Sequence, residues 1–185
     1  MKATIAILHG FAEGPVTSTK FEEMCRRAGY RVTYDLNDAD IIFAHSGGCY
    51  LIPPQNRARL VVMVGLPYWP GRPLPISLII KVWREFRQAR SGQQFAQRLR
   101  KLWYQTRYAG AFRTIRQMAQ NQRLSSPWNS RQPQIIVRNR YDAYCTPNVA
   151  AAPFKGARTF ISLPGEHDDC WDNPERYLDL IQSVL

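Results

Sequence analysis

A serine in a turn of small residues, directly after an apolar run, is the part of this chain best suited to do chemistry. The run Ile41-Ile42-Phe43 leads into Ala44-His45-Ser46-Gly47-Gly48. A buried strand followed by small-x-Ser-x-small is typical of a nucleophile elbow, a sharp turn that exposes the serine hydroxyl. Small residues are needed there because backbone crowds against backbone. The pentapeptide alone is equally typical of an ordinary glycine-rich turn.

A serine nucleophile needs a base to take its proton and a carboxylate to orient that base. The chain has three histidines, and His167 follows the strand-like run at 159–163. Asp142 follows another apolar run at 134–138. Each of these residues, like Ser46, comes at the C-terminal end of a predicted strand, and such ends meet at one edge of a parallel sheet. The order Ser46, Asp142, His167 therefore predicts a catalytic triad.

Four segments of the chain together resemble the compact serine hydrolases among the α/β-hydrolases. They are Leu8-His9-Gly10-Phe11, Ala44-His45-Ser46-Gly47-Gly48, Asn139-Arg140-Tyr141-Asp142-Ala143-Tyr144-Cys145-Thr146-Pro147 and Gly165-Glu166-His167. The resemblance implies Ser46 as nucleophile, His167 as general base and then acid, and Asp142 as the orienting carboxylate. It also implies an oxyanion hole made by the backbone N–H groups of Phe11 and Gly47. No metal or organic cofactor is implied.

Each member of this triad also has a simpler interpretation. Aspartate is common in loops, so Asp142 is also explained as a turn residue. His167 is flanked by acidic residues, as a surface histidine would be. Asp168 and Asp169 are the reserve carboxylates, although their closeness to His167 in sequence makes them awkward orienters. We expect His45 to pack beside the turn rather than to take part in the chemistry.

Size and cysteine use place the chain in a broad class. A chain of 185 residues is the size of one domain with a sizeable core. No run reaches the roughly 18 apolar residues of a membrane span, and the N-terminus leads straight into a predicted strand, so we expect a cytoplasmic protein. The four cysteines lack metal-ligand spacing, which fits a reducing compartment. We expect Cys49 to be a packing residue, and Cys145 and Cys170 to lie close together without a disulfide.

Alternating apolar runs and amphipathic segments predict a mostly parallel central sheet flanked by helices. The predicted strands are 4–8, 31–34, 40–44, 60–65, 134–138 and 159–163, and the predicted helices are 21–28, a short one after Ser46, and 174–185. The chain would begin at the third strand of a full-length α/β-hydrolase, without the two leading antiparallel strands. Only residues 36–39 separate the strands before Ser46, which is enough extended chain to pass one strand but leaves no room for the usual helix.

Positive charge is concentrated in the basic segment, residues 67–133, which holds 13 of the 25 Lys and Arg and one of the 14 acidic residues. Its apolar residues recur at helical spacing, so the sequence predicts a helical cap or lid inserted in the single domain 1–185. One interpretation is that the arginines only keep this cap solvated. The other is that they favour an anionic substrate, or an anionic membrane surface contacted by Trp69, Trp83 and Trp103.

The sequence therefore predicts a serine hydrolase, in the first place a carboxylesterase, that cleaves an ester, thioester or amide of a small molecule through an acyl-enzyme on Ser46. The alternative is a hydrolase-like scaffold without chemistry that binds an acidic partner or an anionic membrane through the basic segment. Nucleic acid is the least favoured partner, because the chain has no recognised nucleic-acid motif. Nothing in the sequence fixes the oligomeric state.

Overall fold

The computed structural model describes residues 3–10, 15–67, 131–142 and 154–185, with isolated positions between 83 and 99 and at 149. Within these ranges six parallel strands form one sheet in the order β2-β1-β3-β4-β5-β6. The strands are β1 (Thr4–Leu8), β2 (Arg31–Thr33), β3 (Ile41–His45), β4 (Leu60–Val64), β5 (Gln134–Asn139) and β6 (Arg158–Leu163). Every strand end lies within one residue of its prediction, and the parallel sheet confirms the expected fold class.

The helices that flank the sheet are α1 (Pro15–Arg27), α2 (Asp169–Asp172) and α3 (Glu175–Val184). Helix α3 is confirmed, whereas the short α2 was not predicted. None of the described helices is both long and apolar enough to span a bilayer. The helical cap predicted for the basic segment lies mostly outside the described residues, and so does Cys145, which we expected to lie close to Cys170.

The predicted start of α1 was wrong. We expected the hydroxyl residues at 17–19 to cap a helix over 21–28, but the helix begins at Pro15. Proline suits a first helical turn because the N–H that it lacks would have no partner there. The Thr19 hydroxyl instead donates to the Val16 carbonyl at 3.1 Å, inside the helix. The predicted end is confirmed, because Gly29 adopts the left-handed φ of 88° just after the helix.

The connection from β2 to β3 has the short form that the sequence predicts. Ile5 of β1 pairs with Val32 on one side and with Ile41 on the other, so β2 and β3 flank β1. The chain passes β1 through a 3-10 turn at Leu36–Asp38 where a helix is usual. Asp40 then ties the incoming chain to β1, because its carboxylate accepts from the Thr4 N–H at 2.8 Å.

Both faces of the central strands β3 and β4 are buried, which is why these strands are continuous apolar runs rather than alternating ones. One face packs Ile42 and Met63 against Tyr50, which follows β3 in the chain. The opposite face packs Phe43 against Phe21 of α1 and Tyr177 of α3. The ends of β3 and β4 are thus held between two packed layers.

A buried polar network fixes α1 against the ends of β1 and β2. The Ser18 hydroxyl donates to Glu22 Oε1 at 2.6 Å, the Arg26 guanidinium donates to Oε2 at 2.8 Å, and the Tyr34 hydroxyl donates to Oε1. His9 Nε2 lies 2.8 Å from Ser18 Oγ. Burial alone would raise the pKa of Glu22, but the three donors outweigh it and hold that pKa below its usual value.

Replacing Glu22 tests this network. We expect Glu22→Gln to lower the free energy of unfolding at pH 7 by about 1–3 kcal/mol, because the donors lose a charged acceptor. A depressed pKa in the folded state gives stability that is present above the unfolded-state pKa and lost as pH falls through the folded-state pKa. The difference between the variant and the wild type should therefore shrink on acidification, as measured by urea unfolding from pH 7 to pH 3.

The matched control is Glu23→Gln on the next position of α1, where the side chain is 55% exposed and lies 3.8 Å from Arg27. This change should alter stability by less than about 0.5 kcal/mol. An equal effect of the two substitutions at pH 7 would contradict the role given to the network.

Candidate active site

The backbone at Ser46 has the strained conformation of a nucleophile elbow. Ser46 follows β3 directly, and its φ of 51° is the one positive value among the described residues other than glycine. A left-handed backbone costs a non-glycine residue roughly 1–2 kcal/mol, and such strain clusters at functional sites. The chain then continues as a 3-10 turn over Ser46–Leu51. The short helix predicted after Ser46 is present as this 3-10 helix.

Crowding around the elbow explains the small residues beside the serine. A Cβ atom on Gly48 would lie 2.5 Å from the His9 carbonyl oxygen and 2.6 Å from that of Leu8, so no side chain fits there. Ala44, two residues before the serine, is fully buried in the sheet. The end of β1 therefore passes directly against the elbow, as the sequence pattern predicts.

The three residues proposed as a triad lie in one hydrogen-bonded chain. His167 Nε2 is 2.8 Å from Ser46 Oγ, and His167 Nδ1 is 2.8 Å from Asp142 Oδ2. All three residues are buried. A carboxylate only accepts, so Nδ1 carries the imidazole proton and Nε2 is left to accept from the serine hydroxyl. This is the protonation state that a general base needs.

The reserve carboxylates have other partners. Asp169 accepts hydrogen bonds from the Tyr177 hydroxyl at 3.0 Å and from the Asn173 amide at 2.7 Å. The Asp168 carboxylate lies 3.8 Å from His45 Nε2. The carboxylate that meets the His167 ring is thus the one that the chain order predicts.

Hydrogen bonds beyond the ends of β5 and β6 bring the acid and the histidine together. Arg140 N–H donates to the Leu163 carbonyl at 2.7 Å, Tyr141 N–H donates to the Gly165 carbonyl at 3.0 Å, and Asn139 Nδ2 donates to the Glu166 carbonyl at 2.7 Å. Sequence reasoning missed Asn139, which is fully buried and whose Oδ1, 2.7 Å from the Tyr177 hydroxyl oxygen, shares the single hydroxyl proton with Asp169. The available signal was a polar residue at the end of an apolar run.

Gly65, directly after β4, is a second residue that sequence reasoning missed. Its φ is +61°, and a Cβ atom there would lie 3.1 Å from both Asp142 Oδ2 and His167 Nδ1. The end of β4 thus packs directly against the carboxylate–imidazole pair. A glycine at the end of a buried strand was the only sign of this in the sequence.

Three side chains near the serine have metal-ligand chemistry. His45, His167 and Asp168 offer ligand atoms within 4.8 Å of one another. However, the Nε2 of His45 and both nitrogens of His167 already take part in hydrogen bonds. A cation would have to break these bonds in order to bind, so we assign no metal function to the group.

The structure describes one of the two residues predicted to form the oxyanion hole. Gly47 is buried and directly follows Ser46 in the first turn of the 3-10 helix, where backbone N–H groups lack partners within the helix. Phe11 lies outside the described residues. Cys49 is fully buried, and its thiol lies 3.4 Å from the Ala44 carbonyl oxygen, as expected of a packing residue.

No family model and no curated protein matches this sequence. Solved structures do match. Potato (Solanum tuberosum) epoxide hydrolase I aligns over 99% of this chain and 93% of its own, with a TM-score of 0.59 and 15% identity. The RedJ thioesterase of Streptomyces coelicolor aligns over 98% and 85%, with a TM-score of 0.61 and 13% identity. Rv0554 from Mycobacterium tuberculosis aligns over 99% and 89%, with a TM-score of 0.66 and 10% identity.

The chain has the α/β-hydrolase fold. This confirms the fold expected from the sequence resemblance. In this α/β-hydrolase sheet, Ser46, Asp142 and His167 follow β3, β5 and β6 and share the carboxyl edge, where ligands of open parallel sheets bind.

Gly65→Ala tests how closely β4 packs under the pair. We expect a loss of about 2–4 kcal/mol in the free energy of unfolding, from the left-handed backbone together with the contact on a buried pair. The proton that His167 shares with Asp142 should also shift in the NMR spectrum. The control is Gly29→Ala, which has a φ of 88° after α1. It should cost only about 1 kcal/mol and leave that proton signal unchanged. Equal effects of the two variants would contradict the packing.

Proposed function

We propose that this protein is a serine hydrolase that cleaves a carboxylic ester, a thioester or an amide through an acyl-enzyme on Ser46. The observation that carries the proposal is the chain of hydrogen bonds from Ser46 Oγ through His167 to Asp142, at 2.8 Å each. The left-handed backbone at Ser46 supports it, because the strain has no evident structural purpose except to hold the hydroxyl at the sheet edge.

In the first half of the proposed reaction, Ser46 Oγ attacks the carbonyl carbon while His167 Nε2 takes the hydroxyl proton. The imidazolium that forms is stabilised by the Asp142 carboxylate. The carbonyl oxygen becomes an oxyanion, which accepts from the Gly47 N–H and, by the sequence resemblance, from the Phe11 N–H. Such donors lower the barrier by about 3–4 kcal/mol each.

The second half of the reaction releases the acid and restores the enzyme. The tetrahedral intermediate collapses when His167 Nε2 gives its proton to the leaving oxygen, sulfur or nitrogen, and the acyl group stays on Ser46. Water then attacks the acyl carbon as His167 takes one of its protons. Return of that proton to Ser46 Oγ frees the carboxylic acid.

The assignment rests on the site rather than on the fold. The structural neighbours include an epoxide hydrolase and a thioesterase, so this fold hosts more than one reaction. A serine with a base and an oriented carboxylate is suited to acyl transfer, because its hydroxyl becomes a strong nucleophile only when the base removes its proton.

Covalent labelling tests the proposal directly. A fluorophosphonate probe should label Ser46 of the native protein, and Ser46→Ala should abolish both labelling and p-nitrophenyl acetate hydrolysis. Asp142→Asn should lower kcat by about 10⁴, because the imidazole would then hold the wrong tautomer. The control is Ser183→Ala on α3, where the exposed hydroxyl donates to the Leu180 carbonyl of the same helix at 2.8 Å. Labelling that persists in Ser46→Ala would rule out Ser46 as nucleophile.

A second candidate concerns the ligand, and the concentration of charge in the basic segment supports it. With 11 arginines and two lysines against one acid, residues 67–133 would attract carboxylates or phosphates. Two described positions, Trp83 and Arg87, form a cation–π contact at 4.8 Å. An anionic substrate is the simplest ligand for a hydrolase whose chain carries such a segment.

Substrate charge and salt together test this candidate. We expect kcat/KM for p-nitrophenyl hemisuccinate to exceed that for p-nitrophenyl butyrate by about ten-fold at low salt, with the advantage lost at high salt. Equal values at low salt would contradict an anionic substrate. If neither ester is turned over while anionic vesicles bind in a salt-sensitive way and neutral vesicles do not, the non-catalytic scaffold is the correct alternative.

A further inference from the structure

His45 is a fully buried side chain next to the proposed nucleophile that the proposed chemistry does not use. Its Nε2 lies 2.9 Å from the backbone carbonyl oxygen of His167, a residue 122 positions away in the chain. A carbonyl oxygen only accepts, so Nε2 carries a proton and donates it. One hydrogen bond therefore joins the elbow to the backbone of the residue that supplies the base.

The need for such a bond follows from the order of the strands. His167 follows β6, the outermost strand on its side of the described sheet, while Ser46 follows β3. Strands β4 and β5 lie between them, so the chain after β6 must reach across about 14 Å at the usual spacing of about 4.8 Å per strand. The contacts that this segment makes near Ser46 therefore determine the position of the His167 imidazole.

Ring contacts show how closely His45 is fitted at that point. Its ring centroid lies 4.7 Å from that of His167 and 5.2 Å from that of Trp171, which packs edge-on. Trp171 in turn contacts Phe43 at 5.8 Å. The Asp168 carboxylate, 3.8 Å from His45 Nε2, belongs to a side chain that is 62% exposed. The His45 ring, which donates this hydrogen bond, is thus packed against the rings of His167 and Trp171.

We propose that His45 is a positioning residue, whose Nε2–H holds the His167 backbone so that the His167 ring reaches Ser46 Oγ. Asp142 sets the rotation and tautomer of the ring, and His45 sets the position of the backbone that carries it. The effect on catalysis rests on the proposed serine hydrolase function. The effect on the geometry of His167 does not.

The experiment compares a replacement that keeps the donor with one that removes it. In His45→Gln the side-chain amide can donate from a position close to that of Nε2, whereas His45→Leu fills a similar volume without a donor. We expect His45→Leu to lower kcat for p-nitrophenyl acetate by about ten-fold or more while KM changes by less than about two-fold. His45→Gln should recover most of that loss.

The control for packing is Phe43→Leu, which loosens the same aromatic cluster without touching the hydrogen bond. It should lower the urea midpoint and leave kcat unchanged. If His45→Leu does not fold, His45→Phe is the second variant without a donor, and it keeps a ring beside Trp171. The proposal is overturned if a folded variant without the donor keeps the wild-type kcat, or if His45→Gln is no better than that variant.

A second measurement separates this proposal from the assignment of activity. The proton shared by His167 and Asp142 can be followed by NMR without any substrate. We expect its signal to be shifted or lost in the variant without a donor and retained in His45→Gln. If the native protein neither labels at Ser46 nor hydrolyses esters, the proposed function is wrong, while this signal still decides whether His45 positions His167. An unchanged signal in the variant without a donor would overturn the positioning role.

Discussion

Direct contact between the elbow and the end of β1 is the constraint on which the site depends. The Gly48 backbone lies so close to the carbonyl oxygens of Leu8 and His9, at the end of β1, that a Cβ atom would not fit. The chain leaves β3 through the left-handed residue Ser46 at this close approach and turns into a 3-10 helix. The strain of that conformation is offset by burial of the elbow between two packed layers.

The His167 imidazole reaches Ser46 because hydrogen bonds guide the chain beyond the sheet. Backbone pairing continues past the ends of β5 and β6, and Asn139 secures the Glu166 carbonyl just before the histidine. Gly65 then leaves room for the carboxylate–imidazole pair above β4. Each of these residues contributes position rather than chemistry, which is why substitution at several sites without reactive groups would be felt at His167.

The sequence was sufficient to predict the positions of those residues that belong to a recognisable pattern. The apolar runs predict all six strands, and the chain order of Ser46, Asp142 and His167 anticipates their hydrogen-bonded chain. Residues whose role is a single long-range contact were not predictable. The Asn139 amide finds its partner 27 residues away, and neither a charge nor a periodicity marks that pairing. The start of α1 was predicted too late because the hydroxyl residues at 17–19 suit a helix cap, whereas Pro15 occupies the first turn.

The position of His167 just after the outermost described strand has a consequence for the local stability of the site. Residues 158–160 of β6 are exposed, whereas β3 and β4 are buried throughout. Local opening of a protein begins where few apolar contacts must be broken. Fraying of β6 would carry the His167 imidazole away from a Ser46 turn that stays folded, so mild denaturant would separate the two side chains well before most of the sheet unfolds.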